Sequence, residues 1–304
     1  MAKEDRAQEF FCEKRAALIL LLALVFLTTT ATARAQQLIV PVTDRLPPAT
    51  VVAAATQSGQ EEEEFIKPSR PGVANPAEIQ KAGVLQLEFG YDANFRAEEF
   101  RSQQSAALTL RFAASSRLLL QADLDTVLSE TDESGTRMTG IGDVRLGFQI
   151  VALKDTERHP ALAFAYYVKL PSASEEKGLG TGRFDHKFVA LVSRKLGSVD
   201  MDLNGALLVV GRENASGWIT GGQGALSFSG EFENGFGLEG ELSGQTKDDT
   251  QPKGLYALGA LTYKVNRRFS LDSGMRFGLT DDAPRVGVFA GITVGVADLH
   301  QKKH

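Results

Sequence analysis

Cysteine is almost absent from this sequence of 304 residues, which contains only Cys12. Cys12 precedes an apolar run at residues 16–27, and a small-x-small motif follows that run at residues 33–35. This order is typical of a secretory signal, so we expect residues 1–35 to be removed and the mature chain to start near Gln36. The exported chain would then have no cysteine, which excludes disulfides and thiolate chemistry.

The chain also has little excess of charge of either sign and few histidines. The 33 basic and 38 acidic residues are interspersed and give a net charge of −5, which argues against a nucleic-acid partner. The histidines lack the spacing of metal ligands, so we predict no metal site and no cofactor. They are His159, His186, His300 and His304. The low mean hydropathy argues against a helical membrane protein, but it is compatible with strands that alternate in polarity.

Apolar residues at every second position are what this chain has in abundance. The pattern is typical of β-strands with one apolar and one polar face. Turn-forming residues separate about twelve such segments, and each has about the length that a tilted strand needs to cross a bilayer. The predicted strands are 84–92, 105–112, 117–125, 141–150, 161–170, 185–195, 199–209, 220–231, 235–245, 254–264, 269–278 and 286–296.

Short and long connections alternate along these strands. The tight ones are 113–116, 196–198, 232–234 and 265–268. The longer, polar ones are 93–104, 126–140, 171–184, 211–219, 246–253 and 279–285, and 151–160 is the exception to the rule. Outer-membrane barrels have short periplasmic turns and longer outer loops. The pattern therefore predicts an all-β fold, an antiparallel up-and-down transmembrane β-barrel of about 12 strands.

Charged residues are concentrated on one parity of these strands. An Arg or Lys facing lipid near the bilayer centre costs about 2–4 kcal/mol, so this parity is predicted to face inward. The lumen-lining candidates are Glu88, Arg111, Asp123, Asp125, Asp143, Arg145, Lys169, Asp200, Asp202, Glu239, Glu241, Lys264, Asp272 and Arg276. Two interpretations remain open: acids and bases that mainly pair around a narrow passage, or an acid-rich pore that disfavours anions.

The chain before the strands has neither the alternating pattern of a strand nor the periodic apolar pattern of a helix. Residues 36–82 hold most of the prolines and the acidic run at 61–64, which favours an extended or disordered periplasmic segment. The alternative is that this segment folds back into the barrel as a plug. We assign the barrel to residues 83–297 and a C-terminal tail to residues 298–304.

Catalytic motifs are weakly supported. A barrel hydrolase needs a nucleophile beside a base, and Asp185-His186 with Ser193 is the one combination worth considering. His186 and Ser193 are an odd number of residues apart, which places them on opposite faces of a regular strand. The glycine-rich stretch at 178–183 lacks the ending of a phosphate-binding loop. We therefore predict that the protein is not an enzyme.

A series of short motifs resembles one family in its order and spacing. The motifs are Arg70-Pro71-Gly72, then 86–90 at the first strand, 140–143 at the fourth, 169–172 at the end of the fifth, 178–182 and Phe184-Asp185. In this order they resemble the outer-membrane family described as "Putative MetA-pathway of phenol degradation", over about residues 68–296. The chain departs from the family at Ser69, where an acid is expected, and in continuing as 297–304 after the last strand.

This resemblance implies a β-barrel of the Gram-negative outer membrane that passes aromatic or other hydrophobic compounds, and the family offers no catalytic residues to transfer to this chain. Three hypotheses follow: a passive channel for small molecules, a structural or surface-interaction barrel with a closed, salt-bridged lumen, and a soluble periplasmic β-protein that binds a hydrophobic ligand. The expected partners are outer-membrane lipid, the barrel-insertion machinery and a small-molecule solute; the sequence does not predict an oligomeric state.

Overall fold

The computed structural model describes residues 64–97, 100–212, 216–246 and 253–300. The predicted signal at 1–35 and the first part of the predicted extended segment, 36–63, lie outside these residues. So do the last four residues of the predicted tail. Within the described ranges, no helix is long and apolar enough to cross a membrane.

Thirteen strands and one short 3₁₀ turn make up the described secondary structure. The strands are β1 Val84–Phe95, β2 Ser102–Ala113, β3 Leu118–Thr131, β4 Arg137–Gly140, β5 Val144–Leu153, β6 Ala161–Leu170, β7 Asp185–Leu196, β8 Val199–Gly211, β9 Trp218–Glu231, β10 Phe236–Gln245, β11 Gly254–Asn266, β12 Phe269–Gly278 and β13 Val286–Asp298. The 3₁₀ turn is Glu175–Lys177, in the loop between β6 and β7.

The sheet closes on itself. Neighbouring strands pair antiparallel in chain order, β3 pairs with β5, and β1 pairs with both β2 and β13. The short β4 pairs only with the end of β3, so the barrel itself has twelve strands. Closure leaves none of these twelve strands with an open edge, which is what a sheet surrounded by lipid requires. The predicted antiparallel barrel of about 12 strands is confirmed.

The largest departure from the predicted strands is at the fourth strand and the loop before it. The fourth strand was expected at 141–150, but β5 occupies Val144–Leu153 and residues 141–143 are not in a strand. The polar stretch after residue 125 was expected to be a loop, yet β3 continues through it and β4 returns along it. Gly142 turns the chain from β4 to β5 and donates its N–H to the oxygen of Asp125 at 2.9 Å. A side chain at Gly142 would collide with the side chain of Asp125. The chain at Gly142 therefore passes too close to β3 for residues 141–143 to form a regular strand.

Side chains along each strand alternate between the two faces of the barrel wall. In β1, Gln86 and Glu88 are 0% and 1% exposed, whereas Phe89 and Tyr91 are 41% and 44% exposed. Large apolar side chains are exposed in the same way on most other strands. The outer surface is thus apolar and the interior is polar, which is the reverse of a soluble barrel and typical of one embedded in lipid.

Residues 64–82 supply much of what fills the interior. Ala77 packs against Leu191 of β7 and against the alanines Ala161, Ala163 and Ala165 of β6. Phe65 and Ile66 pack against Val84 at the start of β1. The three alanines of β6 occupy successive positions on one face, and their small size leaves room for the chain that passes over them. We call residues 64–82 the inner segment.

Candidate functional site: the barrel interior and the inner segment

The inner segment first runs along β1 and β2. The N–H of Lys67 donates to Gln86 Oε1 at 2.9 Å, and Ser69 donates both its N–H and its hydroxyl to the carboxylate of Glu88, at 3.0 and 2.8 Å. Arg111 of β2 donates from Nη1 to the oxygen of Lys67 at 2.5 Å and to Glu88 Oε1 at 3.4 Å. The wall and the segment therefore share one buried hydrogen-bond network.

Arg70 crosses from β1 towards β12. Its Nε and Nη2 lie 3.3 and 3.2 Å from the two carboxylate oxygens of Asp272, which is a two-pronged ion pair. Gly90 of β1 and Gly291 of β13 are paired neighbours in the sheet. A Cβ atom added at either glycine would overlap the guanidinium group of Arg70. The two glycines thus form a cradle in the wall that the guanidinium fills.

The next residues of the inner segment bind β10. The N–H groups of Val73 and Ala74 donate to the same oxygen of Glu241, Oε2, at 2.6 and 2.7 Å. Gly72 lies between the carboxylates of Glu239 and Glu241, where a Cβ atom would collide with both. Glu241 is buried, and two backbone donors stabilise its charge much as a basic side chain would.

The last part of the inner segment contacts β7, β5 and β2. The N–H of Ala77 donates to Ser193 Oγ at 2.7 Å, and Ser193 donates in turn to Asp202 of β8. Gln149 Nε2 donates to the oxygens of Pro76 and Ala77 at 3.1 and 2.9 Å. Gln80 Nε2 donates to the oxygen of Arg111 at 3.2 Å. Because these partners belong to strands around the whole circumference, the segment lies inside the barrel and crosses its lumen.

Most of the predicted lumen candidates take part in ion pairs. The pairs and their shortest N···O distances are Glu88 with Arg111 (3.4 Å), Asp123 with Arg145 (3.9 Å), Lys169 with Asp143 (3.4 Å) and with Asp185 (2.7 Å), Lys264 with Glu64 and Glu231 (3.3 Å each), Asp272 with Arg70 (3.2 Å) and Arg276 with Asp92 (3.3 Å). The structure thus brings most candidates together in separate small groups rather than in one site.

The other candidates have different surroundings. Glu241 and Asp202 are hydrogen-bonded through the inner segment and Ser193, as described above. Glu239 has no hydrogen-bond or ion-pair partner among the described residues, although Gly72 lies beside it. Asp200 lines the larger cavity described below, and Asp125 follows Asp123 on the same face of β3. Their part in lining an open pathway stays a prediction.

Sequence reasoning missed several partners of these charges. Asp92 has the same parity on β1 as Glu88, so the alternation itself could have identified it. Asp185 belongs to the candidate catalytic group and to the family motif, but it is not among the predicted lumen charges. Arg70 and Glu64 could not be placed from any periodicity, because they precede the strands; the one signal for Arg70 was its position in the family motif.

The inner segment separates two cavities within the barrel. One of about 1050 Å³ lies at the end with the short turns, and its described lining includes nine acidic and six basic side chains. One of about 260 Å³ lies towards the long loops, between the inner segment and β2 to β9. Arg70, Glu239 and Asp272 line the larger cavity, whereas Arg145, Lys169 and Asp123 line the smaller one.

The candidate hydrolytic group is not assembled. His186 Nδ1 lies 2.8 Å from the hydroxyl of Tyr166, and the His186 ring is tilted against that of Trp218 with 5.2 Å between the ring centroids. Ser193 instead binds Asp202 and the inner segment inside the barrel. The two side chains face opposite sides of β7, as their spacing predicts. Among the described residues, no three His, Cys, Asp or Glu side chains are grouped closely enough to hold a metal ion.

The fold defines a β-barrel protein of the outer-membrane type. The family model described as "Putative MetA-pathway of phenol degradation" matches residues 69–295, so the chain belongs to this family. The match begins at the residue before Arg70 and includes the first eleven predicted strands and all but the last residue of the twelfth, in agreement with the motifs that suggested the resemblance. A comparison with curated proteins finds no match to the sequence.

Solved structures with the same kind of fold include the COG4313 outer membrane channel from Pseudomonas putida F1. It is 14% identical, with a TM-score of 0.59, and the alignment covers 75% of this chain and 99% of that chain. The KdgM porin in complex with disordered oligogalacturonate is 7% identical with a TM-score of 0.47, covering 70% and 99%. Outer membrane phospholipase A from Escherichia coli is 12% identical with a TM-score of 0.40, covering 72% and 94%. At these identities the first similarity supports the barrel fold, and the other two carry no further argument.

Proposed function

We propose that this protein is an outer-membrane channel for the passive passage of small molecules, closed in the described state by the inner segment. The observation that supports this most directly is the pair of cavities in one lumen, separated by a single extended stretch of chain. A wall with a packed apolar interior would not leave a cavity of about 1050 Å³. The segment is held mainly by hydrogen bonds and ion pairs, which can exchange for water when it moves.

Small aromatic compounds are the solutes that the family description supports. The polar walls described above favour solutes that carry at least one polar group, such as a phenolic hydroxyl, over pure hydrocarbons. Purified protein in planar bilayers should therefore give discrete single-channel currents, and proteoliposomes should admit phenol faster than protein-free vesicles. A folded, heat-modifiable barrel that never conducts would contradict the proposal.

The second candidate is a structural or surface-interaction barrel with a closed lumen. The fully buried pair of Glu88 and Arg111, which also binds the inner segment, favours it, because a permanent plug needs such an anchor. The same bilayer experiment separates the two functions. A chain from which residues 64–82 are removed should conduct in both cases, so only conduction by the complete chain supports the channel.

A further inference from the structure

We propose that the cradle formed by Gly90, Gly291 and Asp272 is a cation-recognition subsite, which Arg70 occupies in the closed state and which a guanidinium or amine group of a solute occupies when the inner segment moves. This inference rests on the proposed channel function and names a class of solute for it. Arg70 is thus a tethered occupant of a site in the wall.

The shape of the cradle supports this assignment. A guanidinium is planar and binds a carboxylate through two parallel N–H groups, as Arg70 does with both oxygens of Asp272. The paired glycines remove the side chains that would otherwise overlap this plane. Such a cradle exists in the wall itself, on β1, β12 and β13, and therefore persists when the inner segment leaves.

The charges around the cradle give it a preference for cations. Among the described residues, Arg70 is the one ion-pair partner of Asp272. Glu241 relies on two N–H groups of the inner segment, and Glu239 lacks a partner in the described chain. Movement of the segment therefore leaves Asp272 of β12 and Glu241 of β10 without these donors. Arg111 stays with Glu88, because both belong to the barrel strands.

The cradle is also reachable. Arg70 and Asp272 both line the cavity of about 1050 Å³ at the end with the short turns. A solute in that cavity needs to displace only the guanidinium of Arg70 to contact Asp272. Acids outnumber bases in the lining of this cavity, so a cation is concentrated there before it reaches the cradle.

The experiment is a chemical rescue of Arg70→Ala with methylguanidinium. The substitution vacates the cradle, so methylguanidinium at millimolar concentration should raise the thermal transition of this variant above that in equal NaCl, and should leave the original protein unchanged. The rescue should be lost in Arg70→Ala combined with Asp272→Asn. Lys81→Ala is the matched control, because it breaks another ion pair of the same segment, Lys81 with Asp298, away from the cradle.

Current block provides a second measurement. Methylguanidinium should block Arg70→Ala channels at a concentration at least tenfold lower than it blocks Lys81→Ala channels. If Arg70→Ala fails to fold, Arg70→Gln, which keeps a polar side chain, replaces it. Equal rescue with and without Asp272, or no effect of methylguanidinium on the vacated cradle, would overturn the subsite. Rescue without any current would instead retain the subsite and overturn the channel.

Discussion

Arg111 Nη1 lies 3.4 Å from Glu88 Oε1 and donates, from the same nitrogen, to the backbone oxygen of Lys67 in the inner segment. Both side chains of the pair are 1% exposed. One guanidinium therefore joins two neighbouring strands of the wall to the chain that crosses the lumen. A buried pair of this kind does not need to add net stability, but it strongly favours the arrangement that satisfies both charges.

The first prediction follows from this pair. Arg111→Ala leaves Glu88 buried without its basic partner and should lower the free energy of unfolding by about 3–5 kcal/mol. Urea unfolding of the purified barrel in detergent or lipid measures this change. Lys253→Ala is the control, since Lys253 pairs with Asp282 at 3.5 Å with both side chains exposed, and should change stability by about 0–1 kcal/mol. Equal effects would contradict the buried network.

The second prediction concerns the contact of the inner segment with β10. Glu241→Gln replaces a charged acceptor of two N–H groups by a neutral one, and hydrogen bonds to charged groups contribute about 1.5–3 kcal/mol. The ratio of open to closed time in single-channel recordings should therefore rise by about tenfold or more. Glu233→Gln, which changes an exposed acid in the short turn after β9, is the control and should leave gating close to that of the original protein. Unchanged gating in Glu241→Gln would show that this contact does not hold the segment.

The third prediction tests whether the inner segment must move. Ala77→Cys with Ser193→Cys places two thiols at positions that already approach each other, since the N–H of Ala77 lies 2.7 Å from Ser193 Oγ. The mature chain is predicted to lack other thiols, so a single disulfide should form if its geometry allows. Oxidation should suppress conductance and a reductant should restore it. Each single-cysteine variant should be insensitive to both reagents, and an oxidised double variant that still conducts would show a path around the segment.

The fourth prediction tests the outer face. Phe164 lies within β6, is 52% exposed and belongs to the apolar surface of the wall. Phe164→Arg should cost about 2–4 kcal/mol in lipid, because a charge then faces hydrocarbon. Phe232→Arg is a matched control: Phe232 is exposed to a similar extent but follows β9 in a short turn, outside the strands. Folding into lipid vesicles followed by unfolding titrations compares the two, and equal costs would argue against a membrane-facing surface.

The fold could be predicted from the sequence because its signal is local. Successive side chains of a strand point to opposite faces of the sheet. Polar Gln86 and Glu88 on one face of β1 and apolar Phe89 and Tyr91 on the other therefore identify both the strand and the environment of each face. The prediction was wrong at 141–143, where the alternation continues but the chain must cross beside Asp125. Close approach of two backbones depends on the neighbouring strand, and a single stretch of sequence does not contain that information.

The sequence by itself determined the number of barrel strands, their antiparallel order and the parity that carries the charges, because each follows from a period of two and from connection length. Tertiary structure alone decided which charges pair and that residues 64–82 cross the lumen. Arg70 and Asp272 are separated by 202 residues, and they meet only because closure of the barrel brings β12 and β13 beside β1. Local periodicity specifies the face of a side chain, whereas its partner is fixed by the register and closure of the complete sheet.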